Sequence, residues 1–450
     1  MPERRDGCGK MWRVTAPPQG DAPLRVALLG CGVVGSQVAR LLLETPDDLG
    51  QRVGRRVELA GIGVRHPDAE REGIPSSLFT GDSLALAGSG VDIVVEVIGG
   101  IEPARSLILA AIGAGASVVT ANKALLAAHG PELYAAAEAA GVDLYFEAAV
   151  AGAIPIIRPL RESLVGDEIT TVMGIVNGTT NYILDKMTSE GLGFSEALQQ
   201  AQQLGYAEAD PTADVEGYDA AAKASILASL AFHTEVHGSQ VHREGITSVS
   251  TDDIAAAARL GYVVKLLAVA TSIPGDDRVS VRVHPAMVPL DHPLASVRGA
   301  YNAIFVESRN AGSLMFLGPG AGGSPTASAV MGDLVTVARN LVRGTHGPKM
   351  TTYRGRPVAP IQDARTSHYL SMNVKDEPGV LARIAGVFAK HAVSIAAVRQ
   401  QQASLDGPAM LGIMTHVARD ADIADTAAEL RTMTNVVVGK IRSIRVEGMA

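Results

Sequence analysis

At 450 residues the chain exceeds the roughly 250–300 at which a single core usually divides, and 47% hydrophobic with 19% charged residues supplies apolar surface for two or three folded units. A formal net charge of −8 without a long Lys/Arg cluster argues against nucleic acid or an anionic membrane as partner, and no run approaches the ~20 apolar residues of a membrane span. Cys8 and Cys31 are the sole cysteines, so no disulfide framework or multi-cysteine zinc site can be drawn, which suits a reducing cytoplasm and small solutes as partners.

Residues 1–23 are charged without an apolar centre and read as a disordered leader rather than a signal peptide. Strands are predicted at 24–29, 57–64, 91–98, 117–120 and 142–146, with helical patterns between them at 102–114 and 131–140. This order gives parallel βαβ units, and hence an α/β doubly wound sheet over residues 24–150. Residues 151–342 are helix-rich around 195–232 and then strand-like in "RVSVRVHP", "YNAIFVES" and "SLMFLGPG", which reads as α+β. The stretch 343–367, rich in Gly, Pro and basic residues, reads as a linker to a third unit at 368–450.

Gly30, Gly32 and Gly35, with Val33 and Val34 among them, form G-x-G-x-x-G between the first strand and a helix. The first glycine permits a tight turn, the second lets the backbone approach a pyrophosphate, and the third packs helix on strand, so the turn suits a dinucleotide. An acidic residue ending the second strand would select the ribose 2′-hydroxyl of NAD. "LAGIGVRHPD" instead presents Arg65, which either pairs with the 2′-phosphate of NADP or is a solvated surface charge.

The densest polar stretch is "GYAEADPTADVEGYDAAAKASILASLAFH", carrying Glu208, Asp210, Asp214, Asp219 and Lys223. Asp219 and Lys223, at i and i+4, share a helix face. An exposed ion pair would explain that spacing, but the apolar "ASILASLAF" that follows places the lysine by the wall of a cleft, where its pKa can be tuned for proton transfer. Lys123, in "VVTANKALLA", stands at the end of a predicted strand, where open α/β sheets bind ligands. Two lysines and several carboxylates suit a small polar substrate with an amine.

Taken together, "GCGVVG", "TANKALL", "FEAAVAGAIPIIRPL", "VNGTTNYIL", "GYAEADPTADVEGYDAAAK" and "GPGAGGSPTASAVMGD" resemble homoserine dehydrogenase over about 24–340. The resemblance implies a Rossmann-type nucleotide unit, a catalytic and dimerisation unit, and NADP- or NAD-dependent interconversion of L-homoserine and L-aspartate 4-semialdehyde on the route to threonine and methionine. It makes Lys223 the proton donor and acceptor, Lys123 the lysine beside cofactor and substrate, and Asp219 their support. Glu208 would receive the substrate amine, with Asp214 also in the substrate site, and Gly322 in the late glycine turn would return to the cofactor. Glu147, with backbone oxygens of Val150, Gly152 and Ile154, would hold a monovalent cation, sodium in the family. A homodimer or higher homo-oligomer is expected. Sequence leaves open whether Lys223 or Lys123 transfers the proton.

The tail, from "HYLSMNVKDEPGVLARIAGVFAK" to "VVVGKIRSIRVEG", reads as βαββαβ and resembles an ACT domain, a ferredoxin-like module that commonly binds amino acids. "DEPGVL" matches its ligand loop, with Asp376, Gly379, Val380 and Leu381, and implies a feedback sensor for threonine. Two rivals make different demands. Aspartate semialdehyde dehydrogenase needs a cysteine nucleophile, and neither cysteine is placed for one. A non-catalytic amino-acid sensor would need no paired lysines.

Overall fold

The computed structural model describes residues 22–273, 275–350, 354–402 and 408–448. The expected leader lies outside the described residues except for Ala22 and Pro23. The first unit runs β1 (Leu24–Leu29), α1 (Val33–Glu44), α2 (Pro46–Val53), β2 (Val57–Gly63), β3 (Phe79–Thr80), α3 (Ser83–Ala87), β4 (Ile93–Glu96), α4 (Ala104–Gly113), β5 (Ser117–Thr120), α5 (Lys123–Ala140) and β6 (Leu144–Tyr145). Its six strands are parallel in the order β3-β2-β1-β4-β5-β6. Helices cover both faces, which is why β1 and β4 are apolar almost without alternation. The order reverses between β1 and β4, leaving a crevice at their carboxyl ends.

The helix expected at 131–140 begins eight residues earlier, at Lys123. Asn122 caps it by accepting the Leu125 N–H at 3.2 Å, and Pro131 sits inside the helix instead of starting it. The strands expected at 91–98 and 142–146 contract to Ile93–Glu96 and Leu144–Tyr145.

The second unit contains α6 (Ala148–Ala151), β7 (Ile169–Ile175), α7 (Gly178–Ser189), α8 (Phe194–Gln203), α9 (Thr212–Val215), α10 (Tyr218–Phe232), β8 (His242–Arg243), α11 (Thr251–Arg259), β9 (Tyr262–Ser272), β10 (Val279–Pro289), β11 (Tyr301–Ser308), β12 (Gly312–Pro319) and α12 (Gly323–Arg343). Helix α10 is buried over most of its surface, consistent with its Ala-rich apolar sequence. Helix α12 returns to the first unit: Ala327, Val330, Leu334 and Val337 share a core with Leu28, Val38, Val57 and Val95. The nucleotide unit is thus completed by a helix far along the chain.

The third unit has β13 (Arg365–Val374), α13 (Val380–Lys390), β14 (Ile395–Gln402), β15 (Ala409–Thr415), β16 (Ala418–Arg419), α14 (Asp420–Thr432) and β17 (Val437–Val446). Beyond the short β16 this is the expected βαββαβ pattern, with strand order β17-β13-β15-β14. Strand β17 pairs in parallel with β10 through Ala286↔Arg445 and Met287↔Val446, so one mixed sheet of eleven strands runs through both units. The Gly/Pro-rich connection is bonded to that sheet: Val279 N–H donates to the Pro357 carbonyl at 3.0 Å and Ala359 N–H to the Val279 carbonyl at 2.8 Å.

Two buried arginines, Arg282 and Arg445, fasten the same joint through ion pairs to Glu447 and Glu244. Arg282 Nη2 lies 2.7 Å from Glu447 Oε1, and Arg445 meets both Glu244, at 2.7 Å, and Asp420, at 2.8 Å. Burial alone would push the Glu447 carboxyl up, yet the charge and hydrogen bonds of Arg282, with His284 3.2 Å away, hold it at about 2.

Candidate active site

The site is assembled from the ends of four elements. Strand β7 finishes just before Val176 and Asn177, β5 just before Lys123, and α9 and the first turns of α10 bring Asp214, Asp219 and Lys223. Asp219 is the hub. Its Oδ2 is 2.7 Å from Lys223 Nζ and its Oδ1 2.9 Å from Lys123 Nζ. Lys223 Nζ also donates to the Val176 carbonyl at 2.8 Å. Asn177 Nδ2 donates to Asp214 Oδ1 at 2.7 Å and to Asp219 Oδ2 at 3.0 Å.

These contacts set the charges. Burial would raise the Asp219 carboxyl, but Lys223 and Lys123, with hydrogen bonds from Lys223 and Asn177, hold it well below the ordinary carboxylate range. Burial would lower Lys123, but Asp219, Asp214 and Glu208 together hold its ammonium above its ordinary pKa. The lysines differ in access: the Lys223 side chain is 10% exposed and that of Lys123 45%. Glu208 is exposed, and its negative charge is the weakest of the three that favour the Lys123 ammonium. Lys123, Asp214 and Asp219 are thus joined to Lys223 through direct contacts and Asn177, whereas Glu208 and Asp210 are exposed and outside this set of bonds, and the simple surface ion pair is excluded by the burial of Asp219 and Lys223.

At the same carboxyl edge of the sheet that carries Lys123 lies the glycine turn, after β1. Gly30 has φ +100°, and a Cβ at Gly35 would sit 2.2 Å from the Gly30 carbonyl oxygen. A Cβ at Gly32 would meet nothing within 4 Å, which leaves its backbone open to a ligand. Val33 is exposed at the start of α1, with Val34 after it partly buried. The late glycine turn comes back to the same place: Gly322 caps α12, and a Cβ at Gly323 would lie 3.0 Å from the Val33 carbonyl. Two helix amino ends thus stand side by side, both favourable to phosphate. Arg65 is exposed just past β2. Arg71 and Arg40 add positive charge near the turn. Burial nevertheless leaves the Cys31 thiol above its ordinary pKa, unfit as the thiolate nucleophile of a semialdehyde-phosphorylating enzyme.

The expected carboxylate ligand of a cation is differently employed. Glu147 accepts N–H bonds from Ile156 and Ile157, each at 2.6 Å, and from Arg158 at 3.0 Å. Three of the roughly four acceptor sites of the carboxylate are used at the start of the following helical turn, so a cation here would draw mainly on main-chain oxygens such as those of Val150, Gly152 and Ile154. Among the described residues no cluster of three or more His, Cys, Asp or Glu side chains could hold a metal. Gly152 makes the tight turn, with φ +57° and the Gly320 backbone where a Cβ would be.

In the third unit Gly379 caps α13 with φ +86°, Val380 is buried, Leu381 is exposed, and Asp376 Oδ1 accepts from Gln400 Nε2 at 3.0 Å. The sequence reading missed Asn177, and also Glu96. Glu96 is fully buried, accepts from Thr120 Oγ1 at 2.6 Å, and shapes the loop after β4 through the Ile98 and Gly99 N–H groups.

Comparison with known proteins decides the family. Residues 155–335 match the family profile described as homoserine dehydrogenase, residues 30–147 its NAD binding domain, and residues 368–433 the ACT domain. Homoserine dehydrogenase of Mycobacterium tuberculosis is 55% identical over 439 residues, 96% of this chain and 99% of that protein. The chain belongs to the homoserine dehydrogenase family. It is an NAD(P)-dependent oxidoreductase of that family, with an ACT domain at its carboxyl end. The Corynebacterium glutamicum homoserine dehydrogenase is 52% identical over 423 residues, covering 93% of this chain and 94% of that one. Among solved structures, a homoserine dehydrogenase from Thiobacillus denitrificans superposes with TM-score 0.88 at 38% identity, covering 95% of this chain and 99% of that chain. A hyperthermophilic archaeal homoserine dehydrogenase in complex with NADPH superposes with TM-score 0.61 at 28% identity, over 73% of this chain and 100% of that one. Among the described residues no helix is long and apolar enough to cross a membrane.

Proposed function

We propose that this homoserine dehydrogenase interconverts L-homoserine and L-aspartate 4-semialdehyde with Lys223 as the proton-transfer group, serving threonine and methionine synthesis in the cytoplasm. The observation that carries the assignment is Asp219 bridging a buried lysine and an open one, Lys223 and Lys123. The dinucleotide, when bound, supplies or accepts hydride. During reduction, charge develops on the carbonyl oxygen, and Lys223 stabilises it and delivers a proton. During oxidation Lys223 takes the hydroxyl proton back. Asp219 keeps both ammonium groups aimed at one point, Lys123 supplies positive charge at the open side, and Glu208 and Asp214 receive the substrate amine. Gly30, Gly32, Val33, Val34, Gly35 and Gly322 line the pyrophosphate turn. Following NADPH absorbance with aspartate semialdehyde tests this reading: the parent should turn over, and Lys223→Ala should do so about 10² to 10⁴-fold more slowly. A Lys223→Ala enzyme with parental turnover would overturn the assignment.

NADP is favoured over NAD by Arg65 at the end of β2 and by the neighbouring Arg40 and Arg71. A monovalent cation, sodium or potassium, would draw mainly on main-chain oxygens around Glu147, Val150, Gly152 and Ile154. Activity measured at fixed ionic strength should then depend on sodium or potassium, and indifference to both would remove the cation from the account. A homodimer through the second unit is supported by the edge strand β12 with its exposed Leu317, and by exposed Tyr301 on β11. A monomeric mass at micromolar concentration would contradict it.

Threonine is the proposed effector of the ACT domain, acting at Asp376, Gly379, Val380 and Leu381. The amino end of α13 behind Gly379 favours a carboxylate. A physical connection to the active site supports this regulation. Arg445 pairs with Glu244, and the preceding residue, Arg243, donates to the Glu216 carbonyl at 2.7 Å, three residues before Asp219. Millimolar threonine should inhibit the parent and spare Gly379→Asp; a parent that ignores threonine would end this proposal.

A further inference from the structure

Asn177 contacts both acidic groups of the cluster, and its two ends do different work. We propose that Asn177 is the positioning residue of the active site: its amide fixes the carboxylates of Asp214 and Asp219 and, through Asp219, the directions of Lys223 and Lys123. The inference rests on the roles given above to Asp219 and Lys223.

Hydrogen-bond chemistry fixes the orientation of the amide. Ionised carboxylates only accept, so the NH2 group must face Asp214 Oδ1 at 2.7 Å and Asp219 Oδ2 at 3.0 Å. The Oδ1 then faces the amino end of α7, where it accepts the Thr180 N–H at 2.9 Å and the Thr180 hydroxyl at 3.0 Å. A flipped amide would set oxygen against two carboxylates and NH2 against an N–H. Asn177 is 5% exposed, so the protein itself supplies these partners.

The consequence for the cluster is specific. Asp214 and Asp219 are like charges, and one amide donating to both keeps them in a shared orientation. With Asn177 on Oδ2 of Asp219, and Lys223 and Lys123 on its two oxygens, the carboxylate cannot turn without losing a partner. The residue before Asn177 completes the frame, because the Val176 carbonyl takes Lys223 Nζ. Two consecutive residues just after β7 therefore hold the lysine and the acid, Val176 the one and Asn177 the other.

Helix capping by itself does not require the NH2 group, and this separates the two roles. Serine and aspartate cap helices about as well as asparagine. Serine is too short to bridge the two carboxylates, and aspartate puts a third carboxylate against Asp214 and Asp219. The test uses the full-length enzyme with homoserine and NADP, comparing Asn177→Ser, Asn177→Asp and Asn177→Ala. For Asn177→Ser we expect a melting temperature close to the parent's, for Asn177→Asp a lower one because it buries a like charge beside Asp214 and Asp219, and for both an unchanged cofactor KM. We also expect kcat/KM for homoserine to fall at least about tenfold, since interactions that place a reacting group act on this scale or above. The added charge of Asn177→Asp should move the alkaline-rising limb of homoserine oxidation to higher pH, because one more negative charge beside Asp219 favours the charged form of a neighbouring ammonium. Asn177→Ala should add a loss of stability to the same kinetic loss. Parent-like kinetics and pH limb in Asn177→Ser and Asn177→Asp would overturn the proposal. So would kinetic losses that merely follow melting temperature with the limb unmoved. A parent that does not oxidise homoserine would overturn the reading of Asp219 and Lys223, and the positioning role with it.

Discussion

Lys223 and Lys123 share one carboxylate but have different surroundings, and their variants should therefore differ. Removing a general acid–base group typically costs about 10² to 10⁴-fold, so Lys223→Ala should lower kcat by that order. Fluorescence titration of NADPH should show nearly parental affinity, since Lys223 sits on α10, away from the glycine turn. A matching loss of dinucleotide affinity would contradict the assignment. Arg65→Ala makes the opposite prediction: NADPH should bind at least about tenfold more weakly, with NADH affinity unchanged, because only the 2′-phosphate offers Arg65 a charge. Parallel changes in both would return Arg65 to the solvated surface. At this scale the sequence was legible where partners are close in the chain, as for Asp219 and Lys223 one helical turn apart. Asn177 escaped because its partners lie 37 and 42 residues away, and an asparagine before a helix reads as a cap.

The glycine turn and the two helix ends beside it form a single element of recognition, and its glycines are there for different reasons. At Gly35 an alanine Cβ would lie 2.2 Å from the Gly30 oxygen, so Gly35→Ala should lower stability by about 1–3 kcal/mol as well as weaken the cofactor. Gly32 has ordinary φ and open space, so Gly32→Ala should leave the melting temperature unchanged and weaken NADPH at least about tenfold by blocking the approach of the pyrophosphate. Calorimetry beside a binding titration separates the two. Equal melting losses in both variants would mean that the turn is merely structural. The G-x-G-x-x-G pattern was readable because it is local. The neighbouring amino end of α12, some 290 residues later, could be placed only by packing against α1, through the contact of Gly323 with Val33.

Across the whole molecule, the joint between the catalytic and ACT units is a continuous sheet with buried charge. Deleting one partner of a buried ion pair leaves the other unsatisfied, at a typical cost of 3–5 kcal/mol, so Glu447→Ala should destabilise by about that much at pH 7. The Glu447 carboxyl falls from an ordinary 4.5 to about 2 on folding. Its contribution is therefore fully present above about pH 4.5 and is lost as pH falls toward 2. Denaturation curves of parent and variant should converge over that window, and a constant difference down to pH 2 would contradict the ion-pair account. Truncation after Arg343 removes β17 from β10 and strips Arg282 of Glu447. The shortened enzyme is expected to be less stable as well as insensitive to threonine; equal inhibition of both forms would exclude the tail as the sensor.

The sequence by itself determined the order of the units, the glycine turn, the acidic stretch with its lysine, and the βαββαβ tail, because each is written in neighbouring residues through hydrophobic period, turn chemistry or motif spacing. It also determined the family, through motifs too long and too well ordered to arise from composition. Tertiary structure decided that Asp219 serves two lysines at once, that α12 closes the nucleotide unit, that the presumed linker is bonded to β10, and that the Glu147 carboxylate caps a helical turn. Each of these depends on backbone N–H groups, buried charges or helix ends meeting partners distant in the chain. Local pattern states that such groups need partners, but the packing of the sheet chooses which ones they find.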